Sequence, residues 1–114
     1  MSVRQGNAGE DEALRYLEGQ GLKLITRNYR TRSGELDLVM QDGDTLVCIE
    51  VKCRANADYG NALDYVTAAK QRRLRSAFTH YLVTQGHNPS AVSSRFDVIS
   101  IQSGILNWLK NVMI

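Results

Sequence analysis

Charged side chains inside apolar, strand-forming runs are where this sequence could do chemistry, and it holds such a set in Asp37, Glu50 and Lys52. Asp37 stands between Leu36 and Leu38 in GELDLVM, and Glu50 and Lys52 are embedded in LVCIEVK. The two-residue period of a strand puts Glu50 and Lys52 on one face. Two carboxylates brought together repel, and a cation or a proton relieves the repulsion. A hard divalent ion held by one or two carboxylates, with its other positions left to water and phosphate, is how Mg²⁺ is usually bound. Such an ion polarises a phosphodiester and orients a water nucleophile. An adjacent lysine can position that water or stabilise the charge growing on the phosphorane. The bare pattern of an aspartate, a variable gap and Glu-x-Lys arises by chance in roughly one chain in four of this length. Taken alone it is equally a cross-strand salt bridge on a solvated face, so the elements that carry it decide its meaning.

Those elements form a hairpin. Residues 36–40 and 45–52 are rich in Leu, Val and Ile, and QDGD lies between them. Asp-Gly between two apolar runs is a strong hairpin signal. With Gly43 and Asp44 as the loop, Asp37 faces Glu50 directly; with Asp42 and Gly43, it faces Cys48 and reaches Glu50 diagonally. Either way the three residues share a face, at about 5 Å for direct neighbours or about 7–8 Å for diagonal ones.

Before the hairpin, residues 9–20 place Ala13, Leu14 and Leu17 at helical spacing with Gly21 as a stop, residues 22–29 read as a strand, and RTRSG is a basic turn. After it, a helix over about 67–85 carries Leu74, Ala77, Phe78, Tyr81 and Leu82 as one apolar stripe. Residues 95–101 predict a further strand, and the spacing of Ile105, Leu106, Trp108, Leu109, Val112 and Met113 predicts a short closing helix. The expected fold is α/β, in the order α-β-β-β-α-β-α. The long helix acts as a crossover that lets the fourth strand run parallel to its neighbour in a mixed sheet flanked by helices.

At 114 residues the expectation is one domain, 1–114. The net charge of +2 does not announce a nucleic-acid binder, so any basic surface must come from placement. Arg27, Arg30 and Arg32 cluster before the motif strand, Arg54 follows it, and Lys70, Arg72, Arg73 and Arg75 crowd the long helix. Converging on the Asp37 face they would track a phosphate backbone; otherwise they are a solvated helix face and loop charges. Tyr29 and Tyr59 could stack on bases, with partial burial as the plainer reading. His80 and His87 have no partner in spacing. No run approaches the roughly 20 apolar residues of a membrane helix. The first residues hold no apolar signal core, which favours the cytoplasm. Cys48 and Cys53 lie too far apart along one strand, about 16 Å, for a disulfide. They are expected to be reduced, half-buried thiols on opposite faces.

GELDLVM followed by LVCIEVKCR resembles the PD-(D/E)XK nuclease motif. More closely, the chain resembles the YraN-like family of small bacterial proteins, which are in turn similar to archaeal Holliday junction resolvases. The likeness runs from GEDEALRYLEGQGLKLITRNYR through GELD and EVKCR to VTAAKQRRLRSAFTHYL and RFDVI. It implies a restriction-endonuclease-like fold and a nuclease site in which Asp37, Glu50 and Lys52 are catalytic and Asp37 and Glu50 hold Mg²⁺ or Mn²⁺. It also implies a DNA substrate, branched or structured, and a homodimer by analogy with resolvases on two-fold junctions. Glu10 matches an acidic residue on the first helix that leans over the metal; it could equally be a first-turn glutamate favouring the helix dipole. Glu35 matches the GE(I/L)D signature as a supporting or additional carboxylate, or is a solvated turn residue. Lys70 and Gln71 match the start of the second helix, where a polar side chain approaches the scissile phosphate, or they belong to a solvated face. Asp97, in RFDV, reads as structural. The expected function is a metal-dependent DNA endonuclease. The rivals are a nucleic-acid-binding module of the same fold with little cleavage, and a partner-binding protein with no nucleic-acid role.

Overall fold

The computed structural model describes residues 6–54 and 67–113. The elements are α1 (Gly6–Gly19), β1 (Lys23–Arg30), β2 (Glu35–Asp42), β3 (Thr45–Arg54), α2 (Ala68–Thr84), β4 (Ser94–Gln102) and β5 (Ile105–Leu109). Among the described residues the strands form one five-stranded sheet in the order β1-β2-β3-β4-β5. β3 and β4 pair in parallel, as the α2 crossover allows, and the other pairs are antiparallel. This is an α/β order, α-β-β-β-α-β-β, compatible with the restriction-endonuclease-like architecture.

The closing element corrects the expected helix. β5 pairs with β4 from Gln102–Ile105 to Val98–Leu109. Ser103 and Gly104 both take positive φ, 53° and 80°, the conformation of the two-residue hairpin turns whose twist matches the flanking strands. Apolar residues at Ile105, Leu106, Trp108 and Leu109 fit a helix by spacing alone. The Ser-Gly turn decides otherwise by folding the segment back onto β4.

The hairpin that carries the motif uses the first of the two possible loops. Asp42 pairs with Thr45 and Leu38 with Ile49, so Gly43 and Asp44 form the turn, with Gly43 at φ 59°. α2 is capped by Thr67, whose side chain accepts a hydrogen bond from the Lys70 N–H at 3.1 Å. Its buried residues are Leu74, Ala77, Phe78, Tyr81 and Leu82, the stripe read from the sequence.

Each helix covers one face of the sheet. α2 buries Leu36, Val39, Leu46 and Cys48, with Tyr29 and Phe96 beside them. Ala13 and Leu17 of α1 pack with Leu38, Met40, Val47, Ile49, Ile99 and Ile101. Strict alternation fails beside Asp37, apart from the register shift of β1 between Leu24 and Thr26. Leu36 and Leu38, two residues apart, belong to opposite faces, although residues i and i+2 of a regular strand share one. Their β1 partners, Tyr29 and Arg27, are divided the same way. Arg27 meets Asp11 and Glu10 of α1, whereas Tyr29 packs edge-on against Tyr81 of α2. Between Arg27 and Tyr29 stands Asn28 at φ 55°. A left-handed residue in mid-strand turns the chain over, and the switch falls beside Asp37.

The cysteines are free thiols on opposite faces, as expected. They are not both half-buried: Cys48 is buried and Cys53 exposed. α1 approaches β3 closely at this end, since a Cβ added at Gly9 would lie 3.3 Å from Cys53 Cβ. Among the described residues no helix is long and apolar enough to cross a membrane.

Candidate active site

Leu38, opposite Ile49, is the end of the β2–β3 ladder. One step further, level with Glu50, a side chain replaces the backbone ladder: Asp37 Oδ2 accepts a hydrogen bond from the Val51 N–H at 2.9 Å. The strands part there, and Asp37 fills the opening. Glu50 and Lys52 alternate with Val51 and lie on the α2 side, like Cys48. Glu50 is only 7% exposed. Its Oε2 lies 2.6 Å from Lys70 Nζ and 3.3 Å from Lys52 Nζ. The structure thus brings Asp37, Glu50 and Lys52 together and adds Lys70, which the Thr67 cap anchors through the first turn of α2.

The electrostatics follow from this crowding. Burial and the charge of Glu50 push the Asp37 carboxyl up to about 7, against the pull of the Val51 amide; the charge of Glu10 and a hydrogen bond with the Glu50 carboxyl add to the rise. Burial lowers the pKa of Lys52, and its neighbour Lys70 lowers it further against the attraction of Glu50. Burial acts on Lys70 in the same sense, but its hydrogen bond to Glu50 prevails and holds its pKa above the ordinary value. Burial, followed by the charges of Glu50 and Asp37, raises the pKa of the Cys48 thiol, so it stays neutral.

Adjacent carboxylates, Glu50 buried and Asp37 half-buried, one pushed towards its protonated form by the other, are a donor set that suits a hard divalent ion. Among the described residues no three His, Cys, Asp or Glu side chains gather into a metal-binding group. An ion between Asp37 and Glu50 would therefore keep most of its shell as water, in the manner of Mg²⁺.

Around the pair lies a second layer of charge. Asn28 Nδ2 donates to Glu10 Oε1 at 3.0 Å and to Glu35 Oε2 at 2.9 Å. Glu10 is not a first-turn residue, because α1 begins at Gly6 and carries no acidic residue in its first turn; the helix-dipole reading loses its basis. Glu35 is half-buried and hydrogen-bonded, so it is not a solvated turn residue either. Asn28 was invisible to sequence reasoning. No spacing rule marks it, and only the tolerance of asparagine for left-handed backbone hints at its place.

The basic residues divide. Arg27 is committed to Asp11 at 2.8 Å and Glu10 at 3.5 Å, and Arg30 to Glu35 at 3.5 Å. Arg72 and Arg75 are exposed on α2 and have no carboxylate partner among the described residues. With Ser33, Ser76, Thr79 and His80 they line a groove of about 650 Å³ between α2 and the β1–β2 turn. Arg73 packs its Cβ 3.7 Å from the position a Gly34 Cβ would take, Arg32 is exposed in the same turn, and Gln71 is half-buried. The Arg54 side chain and Tyr59 lie outside the described residues. Tyr29 is half-buried, and its hydroxyl lies 3.3 Å from His80 Nδ1, a partner that spacing did not reveal.

Asp97 is structural. It is 1% exposed and accepts from Arg95 Nε, Trp108 Nε1 and the Asn111 N–H at 2.9–3.0 Å, while Arg95 also reaches Asp42.

Fold and site together define a class: a mixed-sheet α/β protein, compatible with the restriction-endonuclease-like fold, with an acidic pair and two lysines where its central hairpin opens. Residues 9–101 match the model described as Uncharacterised protein family UPF0102, and the chain belongs to that family, which bears out the resemblance to YraN-like proteins. It is similar to a UPF0102 protein of Herminiimonas arsenicoxydans, 54% identical over 95% of this chain and 85% of the relative. It is 47% identical to one of Pseudomonas putida, covering 96% and 91%, and 45% identical to one of Klebsiella pneumoniae, covering 97% and 87%.

Proposed function

We propose that this protein is a divalent-metal-dependent nuclease that hydrolyses phosphodiester bonds in DNA at the Asp37, Glu50 and Lys52 cluster. The observation that carries the reading is the pair of adjacent carboxylates, Glu50 buried and Asp37 half-buried. Burial and Glu50 drive Asp37 up to about 7, a cost to its ionised form that a bound cation would relieve. Asp37 and Glu50 would hold Mg²⁺ or Mn²⁺. When bound, the ion supplies a Lewis acid for the phosphodiester and lowers the pKa of its water. Lys52 places a positive charge beside the pair, where it stabilises the charge growing on the phosphate. Lys70, ion-paired with Glu50, holds that carboxylate in position and can turn to the phosphate. Arg72 and Arg75, without a carboxylate partner among the described residues, supply charge for the backbone of the nucleic acid. A homodimer would suit a two-fold branched substrate.

One observation favours a second reading. The cluster compensates its own charge, two lysines against two carboxylates, so it can persist without an ion in a nucleic-acid-binding module that does not cut. A cleavage panel of single-stranded, duplex, flap and four-way-junction DNA with Mg²⁺ or Mn²⁺ separates the two. The nuclease reading expects metal-dependent cleavage of at least one substrate. Binding to DNA without cleavage of any would transfer the weight to the binding module.

A further inference from the structure

Three features stand outside the roles given so far: the strained backbone at Asn28, the left-handed Asn111 beside Asp97, and the exposed Ile105 on the edge strand β5. Asn111 is explained by its N–H to Asp97, and nothing in the structure indicates what would cover Ile105. Asn28 carries an inference.

β1 pairs Arg27 with Leu38 and Tyr29 with Leu36, which leaves Asn28 facing Asp37 across the strand boundary. Asp37 in turn lies level with Glu50 on β3. Asn28, Asp37 and Glu50 therefore form one row across three strands, at the point where the alternation of faces reverses. A non-glycine residue with φ of 55° inside a strand is uncommon, and such strain persists only where the surroundings enforce it. What enforces it is visible in the side chain. Both hydrogens of Asn28 Nδ2 are used, one towards Glu10 Oε1 on α1 and one towards Glu35 Oε2 on β2. Two carboxylates from different elements are thus tied to a single nitrogen beside Asp37.

We infer that Asn28 is a positioning residue: it fixes Glu10 at the end of the Asn28–Asp37–Glu50 row, as a charge behind the pair and not a third ligand, and thereby sets the affinity of that pair for a divalent cation. This rests on the metal-site reading above. Glu10 has few alternatives for its charge. Its side chain is 12% exposed, and Arg27, its other partner, is 3.5 Å away and bound more closely to Asp11, at 2.8 Å. Freed from Asn28, Glu10 would keep only the longer contact to Arg27. Held in place, it adds negative charge next to the site, and that charge reaches Asp37. An amide bridging two supporting carboxylates acts as partners behind metal ligands commonly do, by fixing where the charge sits.

The test separates the amide from the backbone it strains. Asn28→Gly keeps the left-handed conformation at no steric cost and removes the amide. Melting temperature of the full chain is followed over a Mg²⁺ titration without DNA, for wild type, Asn28→Gly, Glu10→Gln and the double variant. We expect Asn28→Gly, which gives up two hydrogen bonds, to melt somewhat lower without metal while its Mg²⁺ midpoint rises about ten-fold, the lower end for loss of a supporting partner. Glu10→Gln should raise the midpoint similarly, and the double variant no further than Glu10→Gln alone. A lowered metal-free melting temperature with an unchanged midpoint would make Asn28 merely structural and overturn the inference. So would additive effects in the double variant. A wild type that ignores Mg²⁺ would overturn it together with the metal-site reading, whereas a responsive wild type with an equally responsive Asn28→Gly would overturn it alone.

Discussion

Asp37 carries the sharpest consequence for a single residue. Its carboxyl is raised from 3.8 to about 7, first by burial and then by Glu50. Between those values the folded protein keeps a proton that the unfolded chain has lost. The metal-free protein is therefore most stable below about pH 4 as far as this group is concerned, and it loses that stability as pH rises through about 7. At about 1.4 kcal/mol per unit the loss is a few kcal/mol. Asp37→Asn cannot ionise and still offers an oxygen to the Val51 N–H. It should flatten the pH dependence of the urea midpoint and exceed wild type in stability at pH 8, and a variant with the wild-type slope would contradict the burial of this charge. Lys52→Ala has a different expected outcome. A lysine is no ligand for a cation, so Mg²⁺ should still raise the melting temperature while cleavage falls by about 10² to 10³, the loss seen on removing one group that stabilises transition-state charge.

At the scale of elements, the central hairpin and the long helix were legible in the sequence. Asp-Gly sat between apolar runs, and one apolar stripe ran from Leu74 to Leu82. The C-terminal element departs from its apolar spacing. Apolar spacing from Ile105 to Val112 suits a helix, but Ser103 and Gly104 take the paired positive φ of a tight hairpin, and Trp108 is claimed by Asp97 at 2.9 Å. That Asp37 and Glu50 share a face was likewise legible from the even turn length, whereas their direct opposition needed the structure to choose between two loops. Glu10 and Lys70 were named for the site through the family resemblance, but Asn28 was not legible, nor were the contacts Glu10–Asn28 and Lys70–Glu50, because these depend on the left-handed Asn28 and on where α1 and α2 dock. Trp108→Phe tests the β5 assignment. It keeps an aromatic ring, though a smaller one, and leaves the buried Asp97 one donor short, which should cost about 1–3 kcal/mol in urea unfolding. In a C-terminal helix turned to solvent the same change would cost almost nothing.

For the whole molecule, the net charge of +2 conceals a division of labour. Arg27 and Arg30 are spent on Asp11, Glu10 and Glu35, whereas Arg72 and Arg75 line an open groove. Neutralising Arg72 and Arg75 to Gln should weaken DNA binding and reduce the slope of log K against log salt by about 2, close to one per lost phosphate contact. Arg27→Gln should lower the melting temperature and leave that slope alone. Equal slopes for all the variants would return the groove to ordinary solvated surface. The central claim, that the Asp37 and Glu50 pair serves a metal-dependent nuclease, is tested most directly by scoring cleavage and binding separately over a Mg²⁺ titration for wild type and Asp37→Asn. Wild type should cut with a saturable dependence on Mg²⁺, and Asp37→Asn should bind the same DNA at least as tightly and cut none of it. Cleavage by Asp37→Asn at the wild-type rate, or none by wild type at any Mg²⁺ concentration, would contradict the account.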